Sequence, residues 1–160
     1  MVTSTVDGWT VSVLLNEVEA YGGTDDPASH AYRSRTKRNE PMFGAAGTVY
    51  VYRSYGIHWC LNIVTGNVGD PEAVLLRGGT VVEGKDAATI RRRRPDHLAD
   101  GPGKLAQALH ITGDSSGSVL GDGVLTISGL GIVDGYQVTP RIGITKATER
   151  EWRFLSRDTG

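Results

Sequence analysis

The sequence predicts a single α+β domain, in which a mostly antiparallel sheet carries a few short helices. A length of 160 residues fits one domain, and no repeat or linker rich in Pro, Gly or Ser divides the chain. Strand-like runs dominate, and the helical segments are grouped in the middle of the chain. Because strands and helices do not alternate regularly, a doubly wound parallel sheet is not expected.

The first predicted element is a strand. Trp9–Leu15 begins as an alternation of polar and apolar residues and then continues apolar, which predicts a strand that becomes more buried towards Glu19. A turn rich in Gly and Asp follows. Asp26 is a suitable N-cap and Pro27 suits a first helical position, so a short helix is predicted over Ala28–Arg33.

A hairpin is predicted next. Residues 34–47 are interpreted as a basic loop. Two strand-like runs, Thr48–Tyr55 and Ile57–Thr65, meet at Ser54-Tyr55-Gly56, which is typical of a hairpin turn. Glu72–Arg77 is another apolar strand.

Helices and short strands are predicted for the rest of the chain. Val82–Arg94 is expected to be a helix that Pro95 stops, and Gly103–Ile111 a second, shorter helix. Leu125–Ser128 and Arg141–Thr145 return to the strand pattern.

The charge balance is neutral overall but uneven along the chain. Lys and Arg number 17 and Asp and Glu 18, a total that argues against a protein that binds polyanions through bulk charge. Residues 1–29, however, hold five acids and no base, whereas residues 30–62 hold five bases and one acid. A polyanion at close range meets the local charge. Ordinary solvated faces would give the same pattern.

Several classes of site are not indicated. Cys60 is the single cysteine, so an internal disulfide is excluded, and a soluble intracellular domain is expected. No apolar run approaches the length of a membrane span, and the first residues lack the features of a signal peptide. The glycine motifs of nucleotide-phosphate loops are missing. His58 and Cys60 lie two apart on a strand, where a core pair is favoured over a metal site.

The candidate chemistry centres on a carboxylate and on aromatic residues. Glu19 ends an otherwise apolar strand and is a candidate general base for activating water, although a surface position is the commoner role of such a residue. Five of the six tyrosines fall between positions 21 and 55, where they suit stacking on nucleobases or simply strand formation. Tyr55, at the hairpin tip, is either folded back on the sheet or a wedge that enters a base stack. Together these features indicate an enzyme that excises bases.

Blocks of sequence along most of the chain resemble the alkyladenine (3-methyladenine) DNA glycosylase family. The most specific block is Y-V-Y-x-x-Y-G, from Tyr50 to Gly56. The others are E-V-E-A-Y at 17–21, A-S-H at 28–30, R-N-x-x-M-F at 38–43, I-H-W-C-L-N at 57–62, V-L-L-R at 74–77, G-P-G-K-L-A-Q-A-L at 101–109 and P-R-I-G-I at 140–144.

The resemblance implies a monofunctional glycosylase. Such an enzyme flips damaged purines (3-methyladenine, 7-methylguanine, hypoxanthine or ethenoadenine) out of double-stranded DNA and hydrolyses the N-glycosidic bond, with no lyase step and no metal or organic cofactor. A curved, open barrel-like sheet and a monomer are expected. The expected location is the cytoplasm and nucleoid of a bacterium, or the nucleus of a eukaryote. The alternative is a non-catalytic nucleic-acid-binding module on the same fold.

The resemblance also implies roles for individual residues. Glu19 matches the base that activates water, and Arg77 an arginine near the water and the target phosphate. The residues that match the pocket around the flipped purine are Tyr21, His30, Tyr52 and Asn62, the last crowding the 2-amino group of guanine. The residues that match DNA contacts are Tyr55, which fills the vacated position in the duplex, Ile57 beside it, and Arg35, Arg38, Lys104 and Arg141 for the backbone.

Two departures from the family pattern are visible. Only 18 residues precede Glu19, where the family usually has a further helical stretch. Arg53 and Ser54 stand between Tyr52 and Tyr55, where apolar residues are common, so Arg53 is a possible phosphate contact.

Overall fold

A curled antiparallel sheet organises the chain. The computed structural model describes residues 1–129 and 135–156. Its strands and α-helices are β1 (Val2–Val6), β2 (Trp9–Tyr21), β3 (Val49–Ser54), β4 (His58–Val64), β5 (Ala73–Glu83), α1 (Lys85–Arg92), α2 (Pro102–Ala108), β6 (Leu125–Ile127), β7 (Tyr136–Thr139) and β8 (Arg153–Ser156). Short 3-10 turns cover Gly23–Asp25, Glu40–Phe43 and Gly113–Ser115. Hydrogen bonds order the strands β3-β4-β5-β2-β1-β6, while β8 pairs with β2 and with β7. The sheet forms a half-barrel, which confirms the predicted α+β fold.

Strand β2 is the centre of the sheet. Its first half pairs with β1 and its residues Glu17–Glu19 pair with β8, while β5 runs along the other edge. Leu15 faces Gly79 and Glu17 faces Gly78, so Asn16 is an extra residue in the ladder. Such a β-bulge bends the strand and re-aims the side chains that follow it. A second irregularity follows at once, because Glu17 faces Gly78 and Val18 faces Leu76, so Arg77 is an extra residue on β5. The two irregularities lie together where Arg77 meets the acidic end of β2.

The main core lies between the sheet and the two helices. Its fully buried members include Val2, Val11, Leu61, Leu105 and Leu109, which come from β1, β2, β4 and the region of α2. Burying such side chains contributes about 1.5–3 kcal/mol each. In the described part of the chain, neither helix is long enough to cross a bilayer.

The predicted hairpin is confirmed. β3 and β4 pair from Val49 opposite Ile63 to Ser54 opposite His58. Tyr55 and Gly56 adopt left-handed φ angles of 50° and 68°, as a tight hairpin turn requires.

The predicted helices are shorter than the sequence indicated. β5 continues to Glu83, and α1 begins only at Lys85. Gly84 separates them because it has a φ of +71°, and a Cβ there would lie 2.0 Å from the carbonyl oxygen of Thr10. α1 ends at Arg92, before Pro95, and α2 covers only Pro102–Ala108 of the predicted Gly103–Ile111.

Two predicted elements were wrong. Ala28–Arg33 forms turns and bends, and the Asn39 side-chain amide holds this segment by donating to the His30 and Ser34 carbonyls. Arg141–Thr145 is irregular rather than a strand. There the Ile142 N–H donates to a side chain of β2.

Candidate active site

A cavity of about 680 Å³ opens beside the end of β2. Its wall combines residues from β2, the turns after it, the β3–β4 hairpin, β5 and the segment 142–146. Among the described residues that line it, four are basic and none is acidic: Arg38, Arg53, Arg77 and Lys146. A volume of this size is ordinary for a small-molecule site. The positive lining suits an anionic ligand or polymer.

One wall of the cavity is aromatic. The rings of His30 and Tyr52 meet edge to face at 4.4 Å, and Tyr50 lies 5.7 Å from Tyr52 at 29°. His30 Nδ1 and the Tyr50 hydroxyl are hydrogen-bonded at 2.9 Å. Burial raises the pKa of Tyr50 to about 12 and also raises the pKa of Tyr52. The phenols therefore stay neutral, and Tyr50, which is fully buried, supports the less buried ring of Tyr52.

The aromatic wall also holds His30 neutral. Burial, and to a lesser extent the charge of Arg38, lowers the pKa of His30. A neutral imidazole has one donor and one acceptor nitrogen, so it can form a hydrogen bond with a polar atom of a ligand without adding charge to the cavity. Tyr50 was not among the predicted site residues. The sequence feature that could have identified Tyr50 is its two-residue spacing from Tyr52, because that spacing places both side chains on one face of β3.

The Glu19 carboxylate lies directly behind the cavity wall. Its side chain is 0% exposed. The Tyr21 hydroxyl donates to Oε2 at 2.9 Å and the Ile142 N–H donates to Oε1 at 2.7 Å. Arg77 Nη1 lies 3.3 Å from Oε2. Glu19 was expected at the mouth of a pocket and partly desolvated; it is fully buried, and three residues that contact it, Tyr21, Arg77 and Ile142, line the cavity.

Arg77 belongs to an ion-pair chain that reaches the last strand. Its Nε donates to Glu17 Oε1 at 2.7 Å, and Arg153 Nε from β8 donates to the same oxygen at 2.6 Å. Burial raises the pKa of Glu17, but the two arginines outweigh burial and leave it below its ordinary value. Arg77 is thereby oriented towards Glu19.

Asn62 and Cys60 form the inner side of the cavity on β4. The Asn62 amide donates to the Tyr50 carbonyl at 3.1 Å and more weakly to that of Cys60. These bonds fix the side chain of a residue that is 4% exposed. Cys60 is buried, but His58 is exposed, so the predicted core pair is wrong for His58. In the described ranges, no group of three His, Cys, Asp or Glu side chains is placed to hold a metal ion.

The hairpin tip carries two exposed apolar side chains beside the cavity. Tyr55 is 89% exposed and Ile57 is 68% exposed. Tyr55 also lines the cavity opening. The alternative that Tyr55 folds back on the sheet is therefore wrong.

The four basic residues predicted to contact a nucleic-acid backbone have different surroundings. Arg38 borders the cavity and donates to the Arg53 carbonyl at 3.0 Å. Arg35 pairs with Glu40, and Lys104 lies 3.1 Å from Asp100, both at the surface. The prediction that Arg141 contacts the backbone of DNA is wrong. The side chain of Arg141 is fully buried against Asp26, so its guanidinium is not exposed to a phosphate.

Comparison with known proteins decides the family. The family model described as Methylpurine-DNA glycosylase matches residues 1–160. The chain belongs to this family. Its members are DNA repair glycosylases for methylated purines, so the cavity and the exposed hairpin belong to a DNA glycosylase.

Individual relatives agree with this assignment. The relatives named here all carry the words 3-methyladenine DNA glycosylase in their names. A protein of Frankia casuarinae is 51% identical over 159 residues, which cover 90% of this chain and 75% of the relative. A protein of Methanoculleus marisnigri is 50% identical over 152 residues, which cover 91% of this chain and 79% of the relative. One of Ehrlichia chaffeensis is 41% identical, covering 91% and 77%.

Proposed function

We propose that this glycosylase flips damaged purines out of double-stranded DNA and hydrolyses the N-glycosidic bond with a water that Glu19 activates. The proposed substrates are 3-methyladenine, 7-methylguanine, hypoxanthine and ethenoadenine. The observation that supports the proposal best is a fully buried carboxylate immediately behind an aromatic cavity with a basic lining.

Recognition of the purine rests on the aromatic wall. Alkylation at ring nitrogen gives 3-methyladenine and 7-methylguanine a positive charge, and tyrosine faces attract cations. Tyr21 and Tyr52 line the cavity with neutral phenols, and His30 lines it as a neutral imidazole. Asn62, held by two backbone carbonyls, crowds the 2-amino group of guanine. 7-Methylguanine carries the same group, but its positive charge weakens the glycosidic bond and offsets the crowding.

Glu19 supplies the base. An ionised carboxylate oxygen accepts about two hydrogen bonds, and Oε1 carries one, from Ile142, so it retains capacity for a water. The water oxygen bonds to C1′ of the sugar, its proton passes to Glu19, and the C1′–N bond electrons leave with the purine. A cationic purine becomes neutral on departure and needs no acid. Neutral hypoxanthine or ethenoadenine must take up a proton at a ring nitrogen as it departs, and a water or His30 would supply that proton. Arg77 stabilises the charge of Glu19 from the other side.

No lyase step is proposed, so the strand stays intact until alkali cleaves the abasic site. Because no lyase step is proposed, borohydride should trap no covalent complex with DNA. A lyase would need an amine that forms a Schiff base with the sugar, and Lys146 in the cavity wall carries such an amine. A trapped complex that Lys146→Arg removes would replace this proposal with a bifunctional mechanism.

The decisive experiment compares wild type with Glu19→Gln on a duplex that contains one hypoxanthine or ethenoadenine. Wild type should give strand breaks after hot alkali, and Glu19→Gln should give none while its binding to the duplex persists. Retained excision in the variant would remove Glu19 as the base. Binding by wild type without any excision across all four lesions would favour a non-catalytic DNA-binding module.

A further inference from the structure

Arg141 is enclosed by the residues that end and follow β2. Its two terminal nitrogens form a bidentate ion pair with Asp26, with Nη2 at 2.9 Å from Oδ1, and Nη1 also donates to the Ala20 carbonyl at 3.0 Å. The guanidinium lies over the Tyr21 ring at 4.7 Å and the Trp152 ring at 5.2 Å. Both members of the ion pair have fully buried side chains. A bidentate, stacked arginine is held in one orientation.

Asp26 is itself fixed. The backbone N–H groups of Gly22 and Ala28 donate to its two carboxylate oxygens. Burial raises the pKa of Asp26, but the bonds from Arg141 and these two amides outweigh burial and leave the pKa lowered. The ion pair is therefore anchored to the turn that follows β2.

Both hydrogen bonds to Glu19 come from groups that Arg141 holds. Ile142, joined to Arg141 by the rigid peptide bond, donates its N–H to Oε1. Tyr21, whose ring stacks on the guanidinium, donates its hydroxyl to Oε2. Within the described residues, the segment 140–146 makes no backbone–backbone hydrogen bond of its own. Its position therefore depends on side-chain anchors, of which the Arg141 ion pair is the most buried.

We propose that the Asp26–Arg141 ion pair is a positioning device for the Glu19 carboxylate, acting through the Ile142 N–H and the Tyr21 hydroxyl. This inference rests on the proposed role of Glu19 as the base. Because Asp26 neutralises the guanidinium, Arg141 contributes geometry rather than charge. A residue that the sequence suggested as a DNA contact would thus govern the rate of hydrolysis and leave DNA affinity nearly unchanged.

Arg141→Lys tests the proposal, since lysine keeps the charge but loses the bidentate bond and the stacking. Single-turnover excision with saturating enzyme gives a rate constant that does not depend on the folded fraction, and titration of the enzyme with a tightly bound lesion duplex gives the size of that fraction separately. The rate constant should fall about tenfold to a hundredfold, the scale of loss when a catalytic group moves by about 1 Å. The enzyme concentration for half-saturation of the DNA should change by less than about threefold. Arg94→Lys makes the same change in an exposed ion pair with Asp96 and serves as the matched control.

A pair of variants at Ile142 tests the backbone N–H donor separately. This test remains valid even if Arg141→Lys fails to fold. Ile142→Pro removes the N–H that reaches Glu19, while Ile142→Ala shortens the same cavity-lining side chain and keeps the N–H. The proline variant should be at least about tenfold slower than the alanine variant, a factor that corresponds to about 1.4 kcal/mol.

The outcomes separate this inference from the proposed function. Slower rate constants for Arg141→Lys and Ile142→Pro, with unchanged half-saturation, support the positioning role. A smaller folded fraction with a wild-type rate constant, or equal rates for the proline and alanine variants, overturns it. If Glu19→Gln stays active, the role of Glu19 fails and the positioning role fails with it. If Glu19→Gln is inactive while Arg141→Lys keeps the wild-type rate constant, only the positioning role fails.

Discussion

Tyr55→Ala is expected to separate folding from function at the hairpin tip. The Tyr55 side chain is 89% exposed, so about a tenth of its area is buried in the folded chain. A fully buried tyrosine removes about 150–250 Å² from water, so the lost burial is about 20 Å² or about 0.5 kcal/mol. The left-handed φ of 50° costs Tyr and Ala about the same free energy, so it does not contribute to the difference in stability between wild type and variant. The melting temperature should therefore fall by only about 1–2 °C.

The functional loss should be much larger. If Tyr55 fills the position that the flipped purine leaves, the variant loses a stacking contact worth about 1–3 kcal/mol. At 1.4 kcal/mol for each factor of ten, duplex excision should slow by about 5-fold to 150-fold under single-turnover conditions below saturation.

The substrate provides the sharpest control. A single-stranded oligonucleotide with the same lesion has no vacated position to fill, so the Tyr55→Ala and wild-type rates should agree on it within about threefold. Tyr136→Ala changes another exposed tyrosine, on β7, and should leave the duplex rate unchanged. An equal loss on single and double strands, or a wild-type duplex rate, would refute the wedge.

Three further predictions follow from burial, backbone geometry and charge. Asp26→Asn should lower the free energy of unfolding at pH 7 by about 3 kcal/mol, because it leaves Arg141 buried without its counter-charge. The pKa of Asp26 is lowered in the folded chain, so its contribution is complete above about pH 4 and lost as the pH falls through the folded value. Urea unfolding of wild type and variant should thus differ at pH 7 and converge in acid; a constant difference would contradict this account. Gly84→Ala should cost about 1–3 kcal/mol in urea unfolding, because the added Cβ meets the Thr10 carbonyl at a left-handed φ, and a neutral effect would mean that the β5–α1 junction relaxes easily. For undamaged duplex DNA, three of the four basic residues that line the cavity are exposed, namely Arg38, Arg53 and Lys146. They predict weak binding with a slope of log affinity against log salt of about −3, and a slope near −6 would mean that many more phosphates are contacted.

The hairpin and the family are what the sequence by itself determined best. Tyr50, Tyr52 and Tyr55 are spaced so that the first two share a face of a strand and the third falls at a turn. Both consequences follow from residues within a few positions of one another, and the structure agrees with them. The motif blocks likewise identified the family that the comparison shows.

Only the tertiary structure decided which charged groups face a ligand and which are enclosed. Asp26 has the chemistry of a helix cap, but its partner is Arg141, 115 positions away, and no helix follows it. Arg141 has the chemistry of a phosphate contact, yet burial and two stacked rings remove it from solvent. Glu19 receives an N–H from a residue 123 positions away, in a segment whose pattern predicted a strand. Periodicity reports local geometry, whereas the burial and pairing of a charge depend on which distant segments the folded sheet brings together.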